Sequence, residues 1–447
     1  MYLTGRAALL AGLGGVVVIA AVWLAGGVVD GTVPGVTELA WATAGVWILI
    51  WAALVAVDVV LAASPASVLV TRELPRRARL GEIVRTEVRV ANLGSRRLRG
   101  QLRDGWEPTA GAGPARGALD VPPGERRAVV IGIVPRRRGE RRTAFVALRS
   151  RGPLGLAGRQ AVLAAPGAIR VLPPFRSLRH LPSRIARLRE LDGSTSVIVR
   201  GQGTEFDSLR EYVRGDDVRS IDWRATARSQ KTMLRTWRPE RDRHVVIVID
   251  AGRTSATRVG DETRLDAAME AALLLAALAD QAGDNVHLLA YDRVTRTRVT
   301  GVRGSALLPA LTDALAGVDA QLIDTGWEAA LAEASRFTKN PSLVVVITAA
   351  DAPAAARGLL LALPPLALRT RVVVASVRDL ALDQAATSRT TSEDVWLAAS
   401  AERSIIDAER VAQAVVQLGA DAIAAGPEDL PPRVADRYLE LKRAGRL

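Results

Sequence analysis

The residue best placed to do chemistry is Asp250, which ends a strongly apolar run. The run His244–Asp250, HVVIVID, is continuous and rich in β-branched residues, which is typical of a strand buried on both faces of a parallel sheet. A short loop of small and polar residues, 251–255, follows it. Ligands of open α/β sheets bind beyond the carboxyl ends of such strands. The sequence therefore favours Asp250 as a site residue, with the alternative that its carboxylate caps the loop or helix that follows.

A second set of carboxylates lies upstream, in a segment dense in charges of both signs. Asp216, Asp217 and Asp222 could form a cluster for metal-assisted hydrolysis. Arginines are interleaved with them and would neutralise their charge, namely Arg214, Arg219 and Arg224. We therefore favour a salt-bridged surface that docks this segment onto the next domain, or a surface that binds a protein partner. Its candidate residues are Glu205, Arg210, Asp216, Asp217, Asp222, Trp223, Arg224 and Arg228.

Composition excludes several other classes of site. The 447 residues include no cysteine, which rules out disulfides and thiolate metal sites. The three histidines, His180, His244 and His287, are scattered, which argues against a histidine-rich metal cluster and a Ser-His-Asp triad. No Walker-type phosphate loop occurs. The net charge of +13 is spread along the chain without interleaved aromatic residues, so we expect no nucleic-acid partner and favour a domain held against an anionic membrane face.

Two uncharged apolar runs near the start, 7–29 and 39–57, predict a hairpin of two transmembrane helices within residues 1–65. Arginines flank the hairpin on its outer sides, at Arg6 and from Arg72 onward, whereas the loop between the runs carries Asp30 and Glu38. The positive-inside rule then places both termini in the cytoplasm and the protein in a bacterial cytoplasmic membrane. Asp58 is expected at the inner interface or in the helix contact.

Residues 66–172 favour a small antiparallel β-sandwich that acts as a spacer. The segment 83–94 alternates apolar and polar residues, as a half-buried strand does, and 126–135 and 143–153 are similar. Glycine and proline separate these segments. A charged connector, 173–243, follows. It contains a short predicted helix at 181–191, a helical turn predicted from Phe206, Leu209, Tyr212 and Val213, and an edge strand at 232–238.

Residues 244–447 alternate strand and helix patterns, which predicts a doubly wound α/β domain with a parallel sheet. We expect an antiparallel edge strand at 294–301 and a closing helix at 431–443. The strands are predicted at 244–250, 285–292, 343–349 and 371–377, and the other helices at 264–283, 305–316, 327–337, 352–363 and 401–418.

Several motifs resemble those of the bacterial domain-of-unknown-function-58 family, membrane proteins that carry a von Willebrand factor A-like domain. The matching segments are RGPLGL (151–156), GTEF (203–206), LREY (209–212), GDD (215–217), IDWRATAR (221–228) and DRYLELK (436–442). The resemblance covers nearly the whole chain. It implies a multidomain membrane protein whose α/β domain is von Willebrand factor A-like, and a role in assembly beside MoxR-type AAA+ ATPases and transglutaminase-like proteins.

The resemblance also implies a Mg²⁺ site built from three loops, and this chain matches it incompletely. Its first loop normally reads Asp-x-Ser-x-Ser, whereas here it offers Asp250, Gly252 and Thr254. Thr325 matches the second loop. The third loop has Ala349 where an aspartate is usual, and the nearest carboxylate is Asp351. We therefore expect a degenerate, weak metal site of Asp250, Thr254, Thr325 and Asp351, and no bound cofactor, with Mg²⁺ doubtful.

These observations favour a membrane-anchored interaction scaffold, not an enzyme, with no catalytic residues. Its α/β domain would meet a cytoplasmic protein such as a MoxR-type ATPase. The alternative is a metal-dependent hydrolase that uses Asp216, Asp217 and Asp222.

Overall fold

The computed structural model describes residues 1–24, 36–113, 116–194, 205–213, 218–238 and 243–447. The chain divides into two compact units, Met1–Leu172 and Pro173–Leu447. Each unit has a hydrophobic core of its own.

Two long apolar helices begin the first unit. By length and composition both are able to cross a bilayer. They pack through two tryptophans: the Trp47 and Trp51 indoles donate to the carbonyl oxygens of Leu10 (3.2 Å) and Ala7 (2.9 Å). Gly14 lies under Trp47, where a Cβ would come within 2.2 Å of the indole ring. The elements are β1 (Tyr2–Leu3), α1 (Gly5–Leu24) and α2 (Val36–Leu61).

Two sheets complete the first unit and share one core. One has the order β1-β9-β8-β5-β6, with β3 also on β9, and the other is β2-β4-β7. Alternate residues of β4, from Val84 to Val90, face that core, as their period of two predicts. The β3–β9 pair is parallel, so the predicted antiparallel arrangement holds only for the other pairs. The strands are β2 (Val68–Glu73), β3 (Arg77–Arg79), β4 (Val84–Asn92), β5 (Leu98–Trp106), β6 (Arg116–Val121), β7 (Arg126–Ile133), β8 (Gly139–Arg151) and β9 (Ala157–Leu172).

The second unit begins with a helix and a small hairpin. The hairpin strands pair antiparallel, with a register shift between Phe206 and Ser208. The helical turn predicted from Phe206, Leu209 and Tyr212 is therefore wrong. The shift adds one residue between Phe206 and Leu209, so these two apolar residues of a strand are three positions apart, a spacing that is typical of a helix. The elements are α3 (Leu181–Ser194), β10 (Glu205–Glu211), α4 (Trp223–Ser229) and β11 (Met233–Arg238).

A six-stranded sheet of order β16-β15-β12-β17-β18-β19 is the centre of this unit. Its neighbouring strands are parallel except for β15 with β16. Helices cover both faces of the sheet. Every residue of β15 and β17 is therefore buried, as in the central strands of a parallel sheet. One face packs on α5, α6 and α12, and the other on α7, α8, α9 and α11.

The sequence missed β19 and α10 and placed the start of α11 too late. β19 is short and alanine-rich, so its propensity favours a helix and only pairing with β18 makes it a strand. The start of α11 carries a capping box between Thr391 and Asp394, a signal present in the sequence. The elements are β12 (His244–Asp250), β13 (Arg258–Val259), β14 (Glu262–Thr263), α5 (Arg264–Gln281), β15 (Asn285–Tyr291), β16 (Thr295–Val299), α6 (Leu307–Ala316), α7 (Trp327–Ala334), β17 (Leu343–Thr348), α8 (Pro353–Ala362), α9 (Pro364–Ala367), β18 (Arg371–Val377), α10 (Ala381–Thr387), α11 (Ser392–Gln417), β19 (Asp421–Ala425) and α12 (Leu430–Arg443).

Candidate functional site

Three chain segments meet at the carboxyl edge of the sheet, around Asp250. Strand β12 ends at Asp250 and its neighbour β17 ends at Thr348. The loop before α7 brings Thr325 to the same point. Thr254 reaches it from the turn that follows β12. Because parallel strands end at one edge, residues far apart in sequence converge there.

The Asp250 carboxylate accepts four hydrogen bonds from these segments. One oxygen accepts from the Gly252 N–H (2.8 Å) and the Thr325 hydroxyl (2.5 Å). The other accepts from the hydroxyls of Thr348 (2.6 Å) and Thr254 (3.1 Å). Asp250 is only 2% exposed. A buried carboxylate needs such donors to offset its lost hydration, so these four bonds join the three segments into one structure.

Gly252 makes this arrangement sterically feasible. A Cβ at this position would lie 2.3 Å from the Thr325 hydroxyl oxygen and 2.9 Å from the carbonyl oxygen of Ile323. The glycine thus lets the second loop approach the first, and the Thr325 hydroxyl occupies space that a side chain at 252 would need.

Asp292, next after β15, holds the loop that carries Thr325. Its carbonyl oxygen accepts from the Gly326 N–H at 2.7 Å. Its carboxylate accepts from the N–H groups of Arg293 (2.5 Å) and Val294 (2.9 Å) and from Arg296 (2.6 Å). Burial alone would raise the pKa of this carboxyl, but these hydrogen bonds outweigh it and hold the pKa below its ordinary value. Asp292 is therefore a positioning residue for the candidate site.

An open cleft of about 390 Å³ lies over Asp250. Asp250, Thr254, Thr325 and Thr348 line it on one side, and helix α8 lines it with small and apolar residues and with Arg357. At the rim Asp324 is paired with Arg253 at 2.5 Å. The cleft therefore offers hydroxyl groups and small apolar surface, with its one buried carboxylate already hydrogen-bonded.

The donor set does not fit a divalent cation well. Asp351, the expected fourth ligand, pairs with the buried Arg264 at 2.6 Å, so its role as a ligand gains no support and stays a prediction. Gly252 and Ala349 supply no side-chain oxygen. In the described ranges no three of the histidine, aspartate and glutamate side chains are grouped so as to hold a metal ion. A Mg²⁺ ion, which prefers several oxygen ligands in octahedral geometry, would have a single carboxylate here.

In its described ranges, 205–213 and 218–238, the charged segment forms hydrogen bonds and ion pairs within itself. Asp222 caps α4 by accepting from the N–H groups of Arg224 (2.9 Å) and Ala225 (3.0 Å), and it pairs with Arg235 at 2.7 Å. These bonds hold the pKa of Asp222 below its ordinary value, with the bond from Ala225 the largest cause. Lys231 pairs with Glu211 at 3.2 Å. Such internal pairing gives no support to the docking interpretation.

The other predicted residues of this segment are distributed over its surface. Trp223, Arg224 and Arg228 are exposed on α4. Arg210 is half-buried on β10, and its guanidinium donates to the carbonyl oxygen of Glu211. Glu205 is the first residue of β10. Asp216 and Asp217 lie outside the described residues.

The C-terminal motif at 436–442 fixes α12 to the unit. The Tyr438 hydroxyl donates to Asp284 at 2.5 Å, and Lys442 lies 3.4 Å from the same carboxylate. Asp436 accepts from Arg184 at 2.7 Å. The motif is therefore structural, since Asp284 lies in the turn after α5 and Arg184 lies on α3, and α12 packs against both of these helices.

Sequence reasoning missed Thr348, Arg264 and Asp292. Thr348 and Asp292 each stand at or just after the end of a buried strand, the position that identified Asp250, so the same signal could have found them. Arg264 opens α5 and gives no such signal. Its partner Asp351 lies 87 positions further along the chain (351 minus 264), too far for a local sequence pattern to indicate the pair.

Comparison with known proteins adds a match to one family model but no activity. No curated protein matches the chain. Solved structures that overlap part of it include the CARDB domain of the PF1109 protein from Pyrococcus furiosus, at 16% identity over 23% of this chain and 91% of that one, TM-score 0.19. Another is a PapD-like domain of human CEP192, at 14% identity over 24% of this chain and 84% of that one, TM-score 0.18. A third is a beta-glucosidase from Listeria innocua, at 14% identity over 23% of this chain and 16% of that one, TM-score 0.17. Scores this low carry no argument.

The sequence of the second unit gives a more informative match. Residues 208–393 match the family model described as "Protein of unknown function DUF58". They take in the β10–β11 hairpin from residue 208 onward, the Asp250 site and the strands of the central sheet through β18. This match supports placing the chain in the DUF58 family.

Proposed function

We propose that the protein is a membrane-anchored scaffold that presents its α/β domain to a cytoplasmic protein, such as a MoxR-type AAA+ ATPase. The proposal takes the α/β domain to be von Willebrand factor A-like. Its support is the parallel sheet with helices on both faces and a polar cluster of Asp250, Thr254 and Thr325 at the carboxyl edge. The DUF58 match agrees with the resemblance that first suggested this domain.

The single observation that carries the proposal is the exposed surface of α4. Trp223 is 70% exposed, and Arg224 and Arg228 are exposed on the same short helix. Tryptophan and arginine are the residues most often found at the energetic centres of protein interfaces. The hairpin that carries α4 is stabilised internally through Asp222 and Arg235, so it can present this surface without help from a partner.

The Asp250 cluster fits a structural role in the same scaffold. With both carboxylate oxygens hydrogen-bonded and Asp351 paired elsewhere, contact with the partner would be independent of metal. The hydrolase alternative gains no support, since Asp222 is engaged as a helix cap. It remains a prediction.

Two tryptophans on the same unit allow a matched test of the scaffold. The tagged full-length protein would be solubilised in detergent from its own cells, captured, and its partners quantified by mass spectrometry. Trp223→Ala should reduce recovery of the partner at least tenfold, the usual effect of losing an interface hot spot. Trp396→Ala removes a similarly exposed tryptophan, 78% exposed on α11, and should leave recovery unchanged. Equal recovery with both variants would argue against α4 as the partner surface.

The proposal also fixes an orientation, with both termini in the cytoplasm of a bacterial cell. A reporter fused after Leu447 should report cytoplasm, and one inserted near Thr32 should report the outside. Labelling of the C-terminal unit from outside the cell would exclude a cytoplasmic ATPase partner.

A further inference from the structure

The end of α2 is bound tightly by the β-domain, which comprises residues 66–172. Asp58 is completely buried in the last turn of the helix. Its carboxylate accepts from the backbone N–H groups of Leu154 (2.7 Å), Leu156 (2.7 Å) and Ala157 (2.8 Å) in the turn between β8 and β9. Gly152 leaves room for it, because a Cβ there would lie 2.2 Å from an Asp58 carboxylate oxygen. The RGPLGL motif thus forms a backbone cradle for Asp58.

Further bonds join the same two parts. Arg159 donates to the carbonyl oxygen of Val59 at 3.0 Å, and the Ser150 hydroxyl donates to that of Ala63 at 2.6 Å. Just before α1, the N–H of Thr4 donates to the carbonyl oxygen of Leu156 at 2.9 Å. These contacts attach the start of α1 and the end of α2 to the β-domain.

This attachment sets the height of the β-domain above a bilayer. The uncharged run 39–57 fills a hydrocarbon core of about 30 Å. Asp58 and the residues after it therefore lie at the depth of the lipid headgroups. In loop 92–97 the exposed Arg96 guanidinium donates to the carbonyl oxygen of Val60, and loop 152–156 binds Asp58, so both loops lie at the same depth.

The side chains at this end of the β-domain suit a lipid surface. Leu93 and Leu154 are 69% and 46% exposed in the two loops. Arg6, Arg96 and Arg151 are exposed beside them. Residues 1–6, 92–97 and 152–156 contain no acidic residue. The nearby carboxylates of Asp120 and Glu125 are paired with other arginines of the β-domain.

We infer that the membrane-proximal end of the β-domain binds the headgroups of anionic phospholipids through Arg6, Arg96 and Arg151, with Leu93 and Leu154 in contact with the bilayer. The inference rests on the proposed membrane anchoring. An arginine at an anionic membrane surface gains Coulomb attraction, and a neighbouring leucine gains by leaving water. The lipid contact would hold the β-domain on the membrane and fix the point from which the second unit extends.

The test uses the full-length protein in nanodiscs made with zwitterionic phosphatidylcholine and a minor fraction of anionic phosphatidylglycerol. After detergent extraction, mass spectrometry gives the ratio of the two lipids that stay bound. The native protein should retain phosphatidylglycerol about fivefold or more above its input fraction, the effect of one basic residue at such a surface. The enrichment should fall at high salt.

Two triple variants separate the proposed surface from general positive charge. Arg6→Gln, Arg96→Gln and Arg151→Gln together should return the lipid ratio close to the input value. Arg85→Gln, Arg116→Gln and Arg136→Gln change exposed arginines at the other end of the β-domain and should keep the enrichment.

Each outcome bears on the inference. Absence of enrichment in the native protein, or equal loss in both triple variants, would overturn it. If the first triple variant fails to fold, Arg151→Gln alone should lower the enrichment about fivefold, and an unchanged ratio would count against the inference. Failure to incorporate into nanodiscs at all would instead contradict membrane anchoring, so the two proposals fail in distinguishable ways.

Discussion

Replacement of Asp250 by alanine tests whether the Asp250 cluster is structural. The change leaves the Thr348 hydroxyl buried without its acceptor and frees the Thr325 and Thr254 hydroxyls and the Gly252 N–H. Hydrogen bonds to a charged group contribute about 1.5–3 kcal/mol each and are not additive. Because the freed hydroxyls can find other partners, we expect Asp250→Ala to lower the free energy of unfolding by about 3–5 kcal/mol.

Thermal unfolding of the compact unit 173–447 gives the measurement. At about 2–4 °C per kcal/mol for a domain of this size, the melting temperature should fall by roughly 10 °C. Thr254→Val is the matched control. It removes the longest of the four bonds, at 3.1 Å, and should cost only about 1 kcal/mol.

Magnesium distinguishes the two roles of Asp250 in the same assay. A metal at 100 times its dissociation constant would add about 2.7 kcal/mol to stability. We expect little shift of the native unit with millimolar Mg²⁺. A stable Asp250→Ala variant, or a Mg²⁺-dependent rise that this variant abolishes, would refute the structural interpretation.

Two further predictions concern neighbouring positions. Gly252→Ser restores the loop sequence that is usual in the family. It should lower the melting temperature and create no Mg²⁺ response, because its Cβ would lie 2.3 Å from the Thr325 hydroxyl oxygen. A variant that is more stable and responds to Mg²⁺ would contradict this prediction. The lowered pKa of Asp292 means that its contribution to stability is present above the ordinary carboxyl pKa of about 3.9 and is lost as pH falls through the folded-state value. Denaturant unfolding measured between pH 2 and 6 should show this loss of stability below about pH 4. Arg296→Met should make the loss smaller. Identical pH profiles for the two proteins would show that the Arg296 bond does not lower the pKa of Asp292.

The individual elements of both units followed largely from sequence, with particular exceptions. A strand buried on one face alternates apolar and polar residues, as β4 does, and a strand buried on both faces is a continuous apolar run, as β12 and β17 are. The local sequence pattern was therefore sufficient to predict these strands. β10 and β19 were missed because a register shift and an alanine-rich composition hide a strand whose identity comes from its pairing partner.

For the candidate site, the position of Asp250 at the end of a central strand identified that residue, whereas Thr254 and Thr325 were predicted only through the family resemblance. The sequence did not give the direction of each side chain. Whether Asp351 faces Asp250 or Arg264, and whether Asp58 faces lipid or a backbone cradle, depends on groups distant in sequence. A buried carboxylate takes whichever donors the packing supplies, and that packing is decided only by the tertiary structure.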